Sequence, residues 1–267
     1  MQNIALAKKI EFKPGKDENE GSIVVEPLYP GYGMTLGNSL RRVLLSSLPG
    51  AAVVGVKIKG ISHEFMAMPG VKEDVLEILL NLKQLRLKIH TEEEVILELH
   101  VKGAKKITAA DIAKNSDVEI ANPELFLAET TAATSNLDLE IYVNEGRGYR
   151  MVEGNKKDGR DIGYIEIDSI FSPVLIVSID VENTRVGKMT NWDKLVLNLK
   201  TDGTITPMEA FEQSVKVLVD QFSVLLPGAM EMLVEENSPE EEIAEGEVIE
   251  EESVEEEKPA KKAKKIK

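Results

Sequence analysis

SIVVEPLYPGYGMTLGNSLRRVLLSSLPGAAVVGVKI, residues 22–58, passes from strand to helix to strand within one span. Ser22 to Leu28 reads as a short strand ended by Pro27, and YPGYGM follows as a tight, glycine-rich turn. Thr35 is placed to cap a helix in which Leu36, Leu40, Val43, Leu44 and Leu48 recur at helical spacing until Pro49-Gly50 stops the run. Arg41 and Arg42 flank that apolar face, where the simplest reading is solvated charge beside a core stripe. Ala51 to Ile61 is β-branched and alternating enough for a strand. The span therefore predicts an α+β chain.

Outward from it the same alternation of elements continues. VKEDVLEILLNLKQL, residues 71–85, predicts a second helix, with Glu73 and Asp74 in its first turn and Val75, Leu79 and Leu82 at i, i+4 and i+7. Leu85, Leu87 and Ile89 alternate, a TEEE turn intervenes, and Val95, Leu97, Leu99 and Val101 alternate again, which is the signature of a hairpin. Short strands are expected at 118–120, 125–127, 137–143 and 163–167, separated by polar loops such as 155–161. VLIVSIDVENTRV and KLVLNLKTDG add two more strands before TPME opens the most legible helix. There Thr206 and Glu209 form a capping box and Pro207 takes the first helical position. Phe211, Val215, Leu218, Phe222 and Leu225 then fall at i, i+4, i+7, i+11 and i+14, a heptad-like seam. Burying side chains of this size is worth roughly 1.5–3 kcal/mol each, so the seam requires an apolar partner. Periodicity alone leaves open whether that partner is internal or another chain.

The chain has 267 residues, 42% hydrophobic, enough for a substantial core. Its net charge of -15 opposes nucleic-acid binding, although residues 235–267 contain 13 Glu against 6 Lys, a net -7 that leaves -8 for the body. That last segment has no periodic apolar face and is expected to be disordered. The absence of cysteine excludes disulfides, thiolate metal sites and a cysteine nucleophile. No secretory leader or spanning apolar run is legible, so the expectation is a cytoplasmic protein with no membrane association.

Gly31, Gly33 and Gly37 invite a nucleotide-binding reading, but G-x-G-x-x-x-G is not the dinucleotide fingerprint, and no GK[ST] follows. His63, His90 and His100 are widely separated. Asp158 and Asp161 read as part of a solvated loop and not as a magnesium-holding motif. No catalytic residue, cofactor or metal is expected.

In wording and order, EPLYPGYGMTLGNSLRRVLLSSLPG, GVKEDVLEILLNLKQL, ITAADI, DVEI, GRGY, FSPV and TNWDKLVLNLKTDGTITPMEAF resemble the bacterial RNA polymerase alpha-subunit family from about Ser22 to Phe222. The resemblance implies a dimerisation subdomain of antiparallel sheet plus two helices, residues 1–48 and 172–234, interrupted by an inserted β-rich subdomain, residues 49–171. It implies that the two helices pack against their copies in a homodimer, through Leu36, Leu40 and Val43 of the first and Phe211, Val215, Leu218, Phe222 and Leu225 of the second. A two-fold dimer offers each patch twice, so two copies of one surface receive two different partners, the beta and beta-prime subunits. Arg42, Leu45, Glu77 and Lys83 match the family's large-subunit contact regions. The chain ends where family members continue through a linker into a DNA-contacting domain, so promoter DNA is expected to be contacted at most weakly or indirectly, with Lys258 to Lys267 as a flexible end. Two competing readings are a nucleotide-dependent enzyme using the glycine turn, tested by titration with ATP or NAD, and a structural homodimer with unrelated partners.

Overall fold

The computed structural model describes residues 4–91, 93–152 and 163–226. The chain divides into two units, the first ending at Ser223 and the second beginning at Val224. Among its described residues the first has an α+β architecture of mostly antiparallel sheets with three α-helices.

Its outer layer is a four-stranded antiparallel sheet built from both ends of the unit, in the order β1 (Lys9–Pro14), β2 (Glu20–Leu28), β14 (Met189–Thr201), β13 (Val174–Val186). Two helices cover one face: α1 (Tyr32–Ser46) lies over β13 and β14, and α3 (Pro207–Ser223) lies beside α1 over β2 and β14. Period-two alternation turns Leu195, Leu197 and Leu199 toward the helices, where they meet Ile23, Leu40, Leu44, Ala210 and Phe211 in one buried cluster. The capping box of α3 forms as expected: the Thr206 amide donates to Glu209 Oε2 at 3.0 Å, and the Glu209 amide donates to Thr206 Oγ1 at 3.3 Å.

Between the two halves of that layer the chain builds a second core. β3 (Pro49–Ile58) is central, pairing with β9 (Asn136–Arg147), β4 (Leu87–Ile89) and β11 (Tyr164–Glu166); β5 (Val95–Lys102) adds to β9, and β7 (Val118–Ile120) adds to β4. β6 (Lys105–Thr108) pairs with β8 (Phe126–Thr130), and β10 (Tyr149–Arg150) with β12 (Ser169–Ile170). α2 (Val75–Leu82) packs against β8 with Val75, Ile78, Leu79 and Leu82 buried. Asp74 caps it, accepting the Glu77 amide at 2.7 Å.

Two expectations are corrected. The hairpin of 85–101 does not form: β4 is only three residues long and is paired on both sides, by β3 and β7, so it has no edge left for β5, which pairs instead with β9 along Val95–Lys102. The first helix starts at Tyr32, not after a Thr35 cap; Thr35 lies inside it, and its hydroxyl donates to the Gly31 carbonyl at 3.2 Å. Its boundary residue is Gly31, with φ of 89°, a conformation open to glycine at little cost. The 155–161 loop, with Asp158 and Asp161, and the acidic segment of 235–267 lie outside the described residues.

Candidate assembly surfaces

The start of α1 explains its glycines. Asp193, on β14, shares the inward parity of Leu195, Leu197 and Leu199 and is only 8% exposed. Its Oδ2 accepts the amides of Gly31 at 2.9 Å and Gly33 at 3.0 Å. The anion position that a phosphate would take at a helix N-terminus is thus held by the protein's own carboxylate. At Gly33 a methyl group would stand 2.9 Å from Val181 Cγ1, and at Gly37 2.8 Å from Ile179 Cγ2, so these two glycines let the helix lie directly on β13. The acid in the inward phase of WDKLVLNL was the signal available in sequence; periodicity read only its leucines.

The expected interface residues divide along the helices. On α1, Leu40 is buried in the outer core, Val43 is half-buried and Leu36 is exposed. On α3, Phe211 is 7% exposed, Val215 and Leu218 are half-buried against the core, and Phe222 is 59% exposed. Leu225, past the end of α3, is 75% exposed. Val219, which the seam did not include, is also exposed.

Arg41, Arg42 and Leu45 are all exposed on α1. Glu77 is exposed on α2. Lys83, just past α2, reaches Asp168 at 3.4 Å and lies 5.8 Å above the Tyr149 ring. Asp168 also accepts the Val152 amide at 3.0 Å and the Tyr149 hydroxyl at 3.0 Å. The Val152 amide above all, then Tyr149 and Lys83, hold its carboxyl below the usual carboxylate range. Asp168 and Lys83 border a shallow groove of about 210 Å³ whose walls include Leu76, Leu80 and Ile165. Exposed Leu76 and Leu80 lie off the buried stripe of α2 and so outside its core periodicity.

Among the described residues no group of three or more His, Cys, Asp or Glu side chains is arranged to hold a metal ion. No helix among them is long and apolar enough to cross a membrane.

A family model described as the RNA polymerase Rpb3/RpoA insert domain matches residues 56–172. A DNA-directed RNA polymerase subunit alpha from Desulforamulus reducens is 50% identical over 240 residues, covering 88% of this chain and 76% of that protein. The subunit alpha of Oceanobacillus iheyensis is 49% identical over 227 residues, 83% of this chain and 72% of the relative. That of Symbiobacterium thermophilum is 49% identical over 230 residues, 85% and 73% respectively. Shared sequence on this scale, spanning both the outer layer and the inserted core, means that the chain belongs to the bacterial DNA-directed RNA polymerase alpha-subunit family.

Proposed function

We propose that the chain is an assembly scaffold: it homodimerises through the exposed continuation of the α1–α3 layer and presents α1 and the α2 face to the beta and beta-prime subunits. Transcription would then proceed in the cytoplasm with nucleotidyl transfer performed by other subunits, none of this chain's residues being catalytic. Residues 1–48 and 172–234 would form the dimerising part, and 49–171 the insert. Promoter DNA would be met at most weakly or indirectly.

One observation carries the dimer: the stripe of α3 is enclosed at Phe211 and open at Phe222, 7% against 59% exposed. A buried apolar stripe that runs past its own support calls for a partner surface of the same kind, and a second copy supplies one by two-fold symmetry. Arg42 is the proposed anchor for the beta subunit because a planar guanidinium can hold carboxylates or carbonyls bidentately where water is excluded.

Sedimentation of the purified chain tests the dimer, and co-expression with the two large subunits tests the scaffold. Arg42→Ala is expected to sediment as a dimer yet capture the beta subunit about tenfold less well, the effect of losing roughly 1.4 kcal/mol at an interface anchor. Normal capture by this variant removes Arg42 from the interface, and a solitary chain at micromolar concentration removes the dimer.

A further inference from the structure

Asp193 is a carboxylate in an apolar phase. Leu195, Leu197 and Leu199 follow it on the same face of β14, and all are buried. Among the described residues no cationic side chain pairs with it. A buried carboxylate without compensation is strongly disfavoured. Here the compensation comes from the amides of Gly31 and Gly33 and from the positive end of α1. The register between β14 and β2 slips between Asp193–Leu28 and Leu195–Val25, the kind of irregularity that re-aims a strand end. The fit is close on both sides: a Cβ at Gly33 would stand 3.0 Å from the same Oδ2 that accepts its amide.

At its start the helix meets the sheet through glycines, and from Leu40 onward through buried leucines. Gly33 and Gly37 offer β13 a surface without side chains, and a surface of that kind supplies contact but little to prevent sliding. The two hydrogen bonds to a carboxylate anchored in the sheet supply the stop. We infer that Asp193 is the positioning residue of α1: it caps the helix from the far side of the sequence and fixes where Arg42 and Leu45 stand above the sheet. Its consequence for assembly rests on the proposed reading of that flank; its effect on the helix does not.

Asp193→Ala, made in the full chain, leaves a carboxylate-sized space facing two amides, and formate is the probe that fits it. Two readouts are taken: the amide resonances of Gly31 and Gly33 in glycine-labelled protein, and capture of the large subunits. In Asp193→Ala both glycine resonances are expected to move, and capture is expected to fall about tenfold, as loss of charge-assisted hydrogen bonds allows. Formate is expected to reverse both, and chloride at equal ionic strength neither. Asp193→Asn, which fills the space without the charge, is expected to shift the same resonances and to ignore formate. The inference is overturned if a folded Asp193→Ala chain shows wild-type glycine resonances or resonances that do not respond to formate; moved resonances with wild-type capture overturn instead the placement of Arg42 and Leu45 at the assembly surface. If Asp193→Ala fails to fold, unchanged glycine resonances in Asp193→Asn overturn it. Should the wild-type chain capture no large subunit, the reading of the α1 flank fails, and the glycine resonances still decide the role of Asp193.

Discussion

α2 and α3 carry apolar stripes of the same kind and use them differently. α2 runs from Val75 to Leu82, and its inner positions Val75, Ile78, Leu79 and Leu82 are all buried in the inserted core. Its exposed leucines, Leu76 and Leu80, lie off that stripe. α3 is longer, Pro207–Ser223, and it is the stripe itself that emerges: Pro207, Ala210, Phe211 and Ser214 are enclosed, whereas Phe222 stands open. The inner stripe of α2 is thus enclosed within the chain, while the far end of the α3 stripe is exposed.

The sharpest way to break this contrast is a charge at the open end of α3. Phe222→Asp places a carboxylate on a residue that is exposed in the single chain, so folding is expected to survive. Closing an apolar seam over that carboxylate is expected to cost roughly 3 kcal/mol or more, about a hundredfold in dimer affinity. Sedimentation at several concentrations measures this, and an unweakened dimer would remove α3 from the interface. The reciprocal change belongs in the inserted core. Leu99→Ala empties a fully buried position on β5 and is expected to destabilise the insert by about 2–5 kcal/mol. It should leave dimer affinity unchanged; a parallel loss of dimer would mean that the two cores are not separately closed.

How far these differences could be read in the sequence depends on how local their causes are. The β13 strand and the α3 capping box were legible because alternation and a three-residue reciprocal cap are written in adjacent residues. The start of α1 was not, because its cap is Asp193, separated from Gly31 by 162 positions, and a local rule stops at the first plausible hydroxyl, Thr35. The 85–101 hairpin misled for the same reason: alternation marks a strand but does not choose its partner, and β5 pairs with β9. For the candidate surfaces, periodicity identified the faces of α1 and α3 but not their cover. Leu40 and Phe211 therefore share a stripe with Leu36 and Phe222 and end in opposite environments.

A smaller effect tests the smooth contact between α1 and β13. Gly37→Ala gains about 1 kcal/mol of helix propensity. It also drives a methyl group to 2.8 Å from Ile179 Cγ2 and 3.0 Å from Leu195 Cδ1. The first of these atoms is a β-branched methyl with little freedom to withdraw, and overpacking of this kind costs about 1–3 kcal/mol. The clash is expected to win, lowering stability by about 1 kcal/mol, with the loss read in the denaturation midpoint of the outer layer. A stabilised variant would mean that the helix stands off the sheet.

The smallest effect belongs to the exposed face of the inserted sheet, where pH replaces packing as the variable. His100 on β5 lies opposite Asp138 on β9, with Nδ1 3.0 Å from Asp138 Oδ1 and Nε2 3.2 Å from Glu98 Oε2. The bond to Asp138 first, then that to Glu98, raises the imidazole above its ordinary value. Asp138 is lowered, by His100 first and then by Lys59, whose Nζ lies 3.5 Å away. A raised imidazole stabilises the fold fully below its unfolded value of about 6.5 and ceases to do so as pH climbs through the folded value. The lowered carboxyl stabilises above its unfolded value of about 3.9 and is lost as pH falls through the folded one. The clamp is complete only between those limits, and solvent screening at this exposed site keeps its contribution slight. Thermal melting across the neutral range is expected to show a shallow loss of stability as pH rises beyond the imidazole's unfolded value, and His100→Gln is expected to flatten it. Equal slopes in the two proteins would mean that the exposed pairs on the insert contribute nothing measurable and that its stability rests on its enclosed core alone.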